Sequence, residues 1–315
     1  MIVTRTFKDW WQWSWRLGKD RPQGYLDNLV FRPRIPDFKP STYYQDAICN
    51  ALANITDTDS DIVLFLSGGV DSESILQTAC QNFDPQLIRP VFLKFDHNLN
   101  DHEYYFVKHI AKKLDVEVTL INIDIESWLY TSGSDYSWRH CNSELHFQHP
   151  ALAMLTWLRH EVQKLWGDVT VIQGNGDIPL YGFANPNWPM SRTWSVNYCL
   201  QANFGTLKYF YDNWPQDIPY FYTYTPQLVH SIMSEFHRLQ LLDHSVWYTS
   251  ECRSQVFSDN FIEQLIRKKH FGLEKVYKTY SDIPRYHTYQ AQHPEPYVYQ
   301  DYDEYYKLLQ SHTTQ

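Results

Sequence analysis

The segment Ser67-Gly68-Gly69-Val70-Asp71-Ser72 limits what this 315-residue chain can fold into more than any other stretch. It follows the apolar run 61–66 (Asp-Ile-Val-Leu-Phe-Leu) and opens 73–80 (Glu-Ser-Ile-Leu-Gln-Thr-Ala-Cys), which predicts a strand, a tight glycine turn and a helix in succession. Two adjacent glycines allow backbone conformations closed to other residues, so successive N–H groups can converge on one anion. Ser67 and Ser72 add hydroxyl donors, and a helix beginning near Asp71 adds the positive end of its dipole. Such a turn is a phosphate cradle.

The Gly-Lys-Ser/Thr ending of the Walker loop is absent, and Asp71 stands where a phosphate is tolerated only through a bridging cation. Asp71 is therefore the candidate Mg²⁺ contact. A Ser-Gly-Gly-x-Asp-Ser turn after a hydrophobic strand resembles the PP-loop of the ATP pyrophosphatases, a group that includes asparagine synthetase, β-lactam synthetase, GMP and NAD synthetases and tRNA-lysidine synthetase. The resemblance implies that Ser67, Gly68, Gly69, Val70, Asp71 and Ser72 bind ATP, and that ATP is cleaved between its α and β phosphates. In many members AMP passes to a substrate oxygen.

Composition narrows the partners. A formal charge of −9 argues against a broad nucleic-acid footprint, which needs clustered Lys and Arg, although a local basic groove stays open. The five cysteines (Cys49, Cys80, Cys141, Cys199, Cys252) are odd in number, widely spaced and lack a Cys-x-x-Cys, which predicts reduced thiols in a cytoplasmic protein. No apolar leader and no apolar stretch long enough to span a bilayer occur, so no membrane partner is expected. Aromatic residues make up 17% of the chain, and their abundance suits a core or a pocket lining.

Along the chain, 9–16 (Asp-Trp-Trp-Gln-Trp-Ser-Trp-Arg) reads as a short helical piece that either lies on a membrane surface or folds back over the core. Pro22, Pro33, Pro36 and Pro40 make 21–41 an extended linker. Ser41 then caps a helix over 42–54. After the phosphate loop, a strand at 90–95, a polar turn at 96–101, a helix over 102–114 and a strand at 116–123 alternate as right-handed crossover units do, which predicts a parallel sheet. Ligands of such sheets sit at the carboxyl ends of the strands, near Leu66 and Phe95. The resemblance puts adenine between those ends; the alternative is that Phe95 is core.

Residues 124–149 read as a lid or substrate loop, followed by a helix over 151–165 and a fourth strand at 169–173. That strand ends in Gly174-Asn175-Gly176-Asp177, a weak Gly-x-Gly signal when taken alone. In asparagine and β-lactam synthetases a strand at this point ends in Gly-Glu-Gly-x-Asp-Glu-Leu-Phe-Gly. Gly174, Gly176 and Leu180-Tyr-Gly182 resemble the two ends of that pattern, which implies nucleotide contact at Gly174 and Gly176 and a displaced metal ligand at Asp177. Asn175 replaces the family glutamate, and an amide cannot take up a proton as a carboxylate can.

Residues 183–250, rich in Trp, Tyr and Pro, form either a substrate-pocket wall or a second core, with a helix near 226–242. Arg267-Lys268-Lys269 resembles an Arg-x-Lys segment of the same two enzymes, which implies that Lys269 offsets charge on leaving pyrophosphate; the alternative is a solvated helix end.

The expected organisation is an arm and linker (1–40), an ATP-binding domain (41–182), a helical substrate-side part (183–282) and a Tyr-rich tail (283–315). The fold class is α/β, a HUP-type doubly wound parallel sheet with a largely helical C-terminal part. The leading expectation is an asparagine synthetase-like, AMP-forming ligase that uses ATP and Mg²⁺ on a small-molecule carboxylate or amide substrate. Its resemblance lacks a glutaminase domain, so a separate amine or ammonia donor is implied. A tRNA- or nucleobase-modifying enzyme and a nucleotide-binding protein without turnover are the alternatives.

Overall fold

The computed structural model describes residues 2–7, 11–16, 29–33, 43–56, 61–128, 150–174, 213–219, 221–225, 227, 228 and 231. Strands β1 (Ile2–Phe7), β2 (Trp11–Arg16) and β3 (Leu29–Pro33) form an antiparallel sheet in that order. This corrects the helical reading of the Trp-rich piece. Trp11, Trp13 and Trp15 alternate with Gln12 and Ser14 at the period of a strand, and Trp favours pleated backbone. It also corrects the linker reading over 29–33, where Pro33 is the last residue of an edge strand and its missing N–H costs no interior ladder bond.

The second sheet is parallel throughout. It contains β4 (Ile62–Leu66), β5 (Ile88–Phe95), β6 (Thr119–Ile123) and β7 (Thr170–Gln173) in the order β6-β5-β4-β7. Ile62 is opposite Ile88 on one side and Thr170 on the other, so β4 is central. Its five residues are all buried, as befits a strand covered on both faces. Strand β5 starts earlier than the sequence suggests and takes Pro90 inside. Pairing with β6 begins only at Val91, so the proline lies where that flank has no partner strand to serve.

The helices are α1 (Tyr44–Thr56), α2 (Val70–Asn82), α3 (Asp101–Leu114), the single turn α4 (Ile125–Trp128) and α5 (Pro150–Trp166). Leu158 and Val162 of α5 pack on Val63, Phe65, Val91 and Val171, one face of the sheet. The other face meets α3, where Phe92 stacks on Tyr104 with ring centroids 5.6 Å apart. Right-handed crossovers account for this split: β4, β5 and β6 advance one way, and the return to β7 on the far side of β4 sends α5 to the opposite face. The sheet is thus doubly wound, and its strand order reverses between β4 and β7.

A segment from much later in the chain extends the sheet beyond β7. Ile218 bridges Ile172 in parallel, its N–H donating to Val171 O at 2.8 Å, while Gln173 N–H donates to Ile218 O at 3.0 Å. Residues 227, 228 and 231 are helical, and most of the expected C-terminal helical part lies outside the described residues. Cys49 and Cys80 are free thiols, both pushed up in pKa by burial, with Asp46 adding to the effect at Cys49. Among the described residues no helix is long and apolar enough to cross a membrane.

Candidate functional site

The loop that joins β4 to α2 is shaped by glycine and closed by serine. Gly68 has φ +66°, and a Cβ there would stand 2.5 Å from the Glu103 carbonyl oxygen. Both the backbone conformation and the lack of space exclude a side chain. Gly69, extended at φ −85° and ψ 158°, is the N-cap of α2. Its carbonyl accepts Glu73 N–H and the Ser72 hydroxyl, each at 3.2 Å. Ser67 N–H donates to Ser72 Oγ at 3.2 Å, and Gly69 N–H to Ser67 Oγ at 3.4 Å. The Ser72 hydroxyl therefore serves the loop's own shape, and the first-turn amides of α2 are the groups presented at the helix end.

The end of β7 runs against that first turn. A Cβ on Gly174 would lie 2.8 Å from Ser72 N and 3.2 Å from the Asp71 carbonyl carbon. Gly174, which the resemblance made a candidate nucleotide contact, is thus packed against the first turn of α2. They meet where the strand order reverses, the place where open α/β sheets form a crevice at their carboxyl edge. The positive end of the α2 dipole lies at this junction, which suits an anion.

Leu66 and Phe95 are buried at the carboxyl ends of β4 and β5. Beyond Phe95 a 3₁₀ turn (Asp96–Asn98) carries His97 and Asn98 at positive φ. Asn100 locks this turn: its Nδ2 donates to Leu93 O and its Oδ1 accepts Phe95 N–H, both at 2.8 Å. The turn leads into α3, whose Glu103 carbonyl is the neighbour of Gly68.

Asp71 lies in the first turn of α2 with its Oδ1 buried, and Val70 is the first residue of that helix. Gly176, Asp177 and Lys269 lie outside the described residues. Among the described residues no group of three or more His, Cys, Asp and Glu is arranged to hold a metal ion. A Mg²⁺ at Asp71 would therefore take its remaining ligands from phosphate oxygens and water, as this ion commonly does.

Sequence reasoning missed Tyr222. Its hydroxyl reaches Asp71 O at 2.6 Å and Ser74 Oγ at 2.5 Å, across 151 residues in the first case. Nothing in a chain with 24 tyrosines singles it out. Asp217, five residues earlier, is fastened beside the edge strand β7. Arg159 Nε donates to Asp217 Oδ2 at 2.6 Å, Val171 N–H donates to Asp217 Oδ1 at 3.0 Å, and both side chains are fully buried. Burial pushes the Asp217 carboxyl up to about 6, against the opposing pull of Arg159 and the Val171 amide.

No protein-family model matches this chain, and no curated protein does. Solved structures that resemble it include an NH3-dependent NAD synthetase from Campylobacter jejuni in complex with nitrate, at 14% identity over 82% of this chain and 98% of that one, with a TM-score of 0.36. An NMN synthetase from Francisella tularensis gives 13% identity over 84% and 100%, with a TM-score of 0.35. A glutamine-dependent NAD+ synthetase from Acinetobacter baumannii in complex with ADP gives 17% identity over 47% and 30%, with a TM-score of 0.31.

Proposed function

We propose that the crevice at the ends of β4 and β7 binds Mg·ATP, and that the chain is an adenylating, AMP-forming ligase of the PP-loop kind. The observation that supports this most is the junction itself: the first turn of α2 opens between two strand ends, with Gly68 and Gly174 packed against backbone on either side. A loop with amides and hydroxyls but no lysine of its own suits pyrophosphate as a leaving group better than γ-phosphoryl transfer.

In this reading Ser67, Gly68, Gly69, Val70 and Ser72 cradle phosphates, Gly174 and Gly176 keep the far wall close, and Leu66 and Phe95 border the adenine. Asp71, joined by Asp177, holds Mg²⁺, which when bound offsets phosphate charge. Lys269 steadies the departing pyrophosphate. The acceptor is a small molecule with a carboxylate or amide oxygen, and an amine or ammonia from solution or from another protein displaces AMP. In its finer form the activity is asparagine synthetase-like. Asn175, where a carboxylate is expected, favours a second reading, a nucleotide-binding protein without turnover.

Product analysis separates these. Purified protein is incubated with Mg·ATP, ammonia and a panel of carboxylates, and the nucleotides are resolved by ion exchange. AMP with pyrophosphate is the expected outcome, and Asp71→Asn should remove most of that turnover while remaining folded. ADP with phosphate would overturn the assignment, and binding without any product would favour the second reading.

A further inference from the structure

We infer that Tyr222 is a positioning residue for the phosphate loop, and that it acts by fixing and polarising the Asp71–Ser72 peptide. The inference rests on the nucleotide reading of the crevice and adds a group from outside the loop to it. Three oxygens, Asp71 O, Ser74 Oγ and Tyr222 Oη, form a triangle with sides of 2.5, 2.6 and 2.8 Å, held by only two hydroxyl protons. Ser74 and Tyr222 are fully buried, so water does not compete for these bonds.

The carbonyl at the apex belongs to the peptide whose other end is Ser72 N–H. A peptide unit is planar, with C=O and N–H pointing in opposite directions, so holding the oxygen sets the direction of the amide. In the first turn of a helix that direction is outward from the N-terminus, and Ser72 N is the atom that Gly174 approaches. Hydrogen bonds accepted by a carbonyl also strengthen donation by the N–H of the same peptide. Tyr222 thus bears on a cradle donor from behind, through the backbone and without touching the ligand. Its own place is set by the Asp217 anchor and by a stacked contact with Tyr44, ring centroids 6.4 Å apart.

Tyr222→Phe keeps the ring and removes one hydroxyl. Two measurements on the full chain test the inference: calorimetric binding of Mg·ATP, and the amide proton shift of Ser72 without ligand. Weaker binding by about two- to ten-fold is expected, the usual range for one buried hydrogen bond. The Ser72 amide should move upfield, while amides of β6 stay in place. Ser74→Ala should show the same sign, and the double variant less than the sum of the two. An unmoved Ser72 amide overturns the inference, even if the variant is less stable, because packing alone would then account for Tyr222. Failure of the parent protein to bind Mg·ATP would sink the nucleotide reading instead, and the Ser72 shift would still decide the role of Tyr222.

Discussion

Two parts of the molecule meet at the crevice and are held in different ways. The run from β4 to α3 is continuous in sequence and is fixed by apolar residues at strand and helix spacing; Ile62, Val63, Leu64, Ile75, Val91 and Val107 are each at most 1% exposed. Burial of this kind contributes about 1.5–3 kcal/mol per side chain and is spread over many residues. Residues 213–219 and 221–225 come from far along the chain; they bury Trp214, Ile218, Phe221 and Tyr222 but add buried polar links to Arg159, Val171, Ser74 and Asp71. The first part tolerates small losses, whereas in the second the polar links are the exposed weakness, because removing one partner strands another in a dry interior.

The contrast is broken most severely at Arg159. Arg159→Ala leaves Asp217 buried without its counter-charge and should cost about 3–5 kcal/mol in urea unfolding. Pairing it with Asp217→Leu should recover part of that loss, since a matched apolar pair carries no stranded charge. A cost below about 1 kcal/mol for the single variant, the range of an exposed pair, would mean that the late segment is not anchored there.

Glycine separates the two modes next. Gly68 and Gly167 both have positive φ, at +66° and +74°, but a Cβ at Gly167 meets nothing within 4 Å. Gly68→Ala should therefore cost about 1–3 kcal/mol and also abolish nucleotide binding, while Gly167→Ala should pay backbone strain alone, about 1 kcal/mol. Equal effects in thermal unfolding and binding assays would show that contact with Glu103 does not shape the loop.

The last test is a titration. Asp217 has a folded pKa raised from 3.8 to about 6, so the folded state binds its proton more tightly than the unfolded chain does. Its contribution to stability is fully present below about pH 3.8 and is lost as pH rises through about 6. The denaturant midpoint of the parent should fall relative to that of Asp217→Asn as pH rises through that window, and the two should run parallel above it. Parallel curves throughout would mean that Asp217 does not titrate there.

Legibility follows the same division. Strands 62–66 and 170–173 and the helices α1, α2, α3 and α5 were readable because short-range pattern carries them. The Trp-rich start was misread as helix: adjacent Trp10 and Trp11 obscure the alternation that continues through Trp13 and Trp15. Tyr222 and the Arg159–Asp217 pair were not readable, since each is specified by a partner tens of residues away and by no local spacing. Gly176, Asp177 and Lys269 remain proposals that lie outside the described residues.

The order of strands has a consequence in time. During synthesis β4 can pair with β5 once Phe95 has been made, yet its other neighbour, β7, begins only at Thr170, about 75 residues further on. At about 5–20 residues per second that interval is roughly 4–15 s, during which one side of the central strand has no mate and is open to the wrong one. Tyr222 is made later still. The newborn chain carries its β4–α2 loop well before it has a wall for that loop to face.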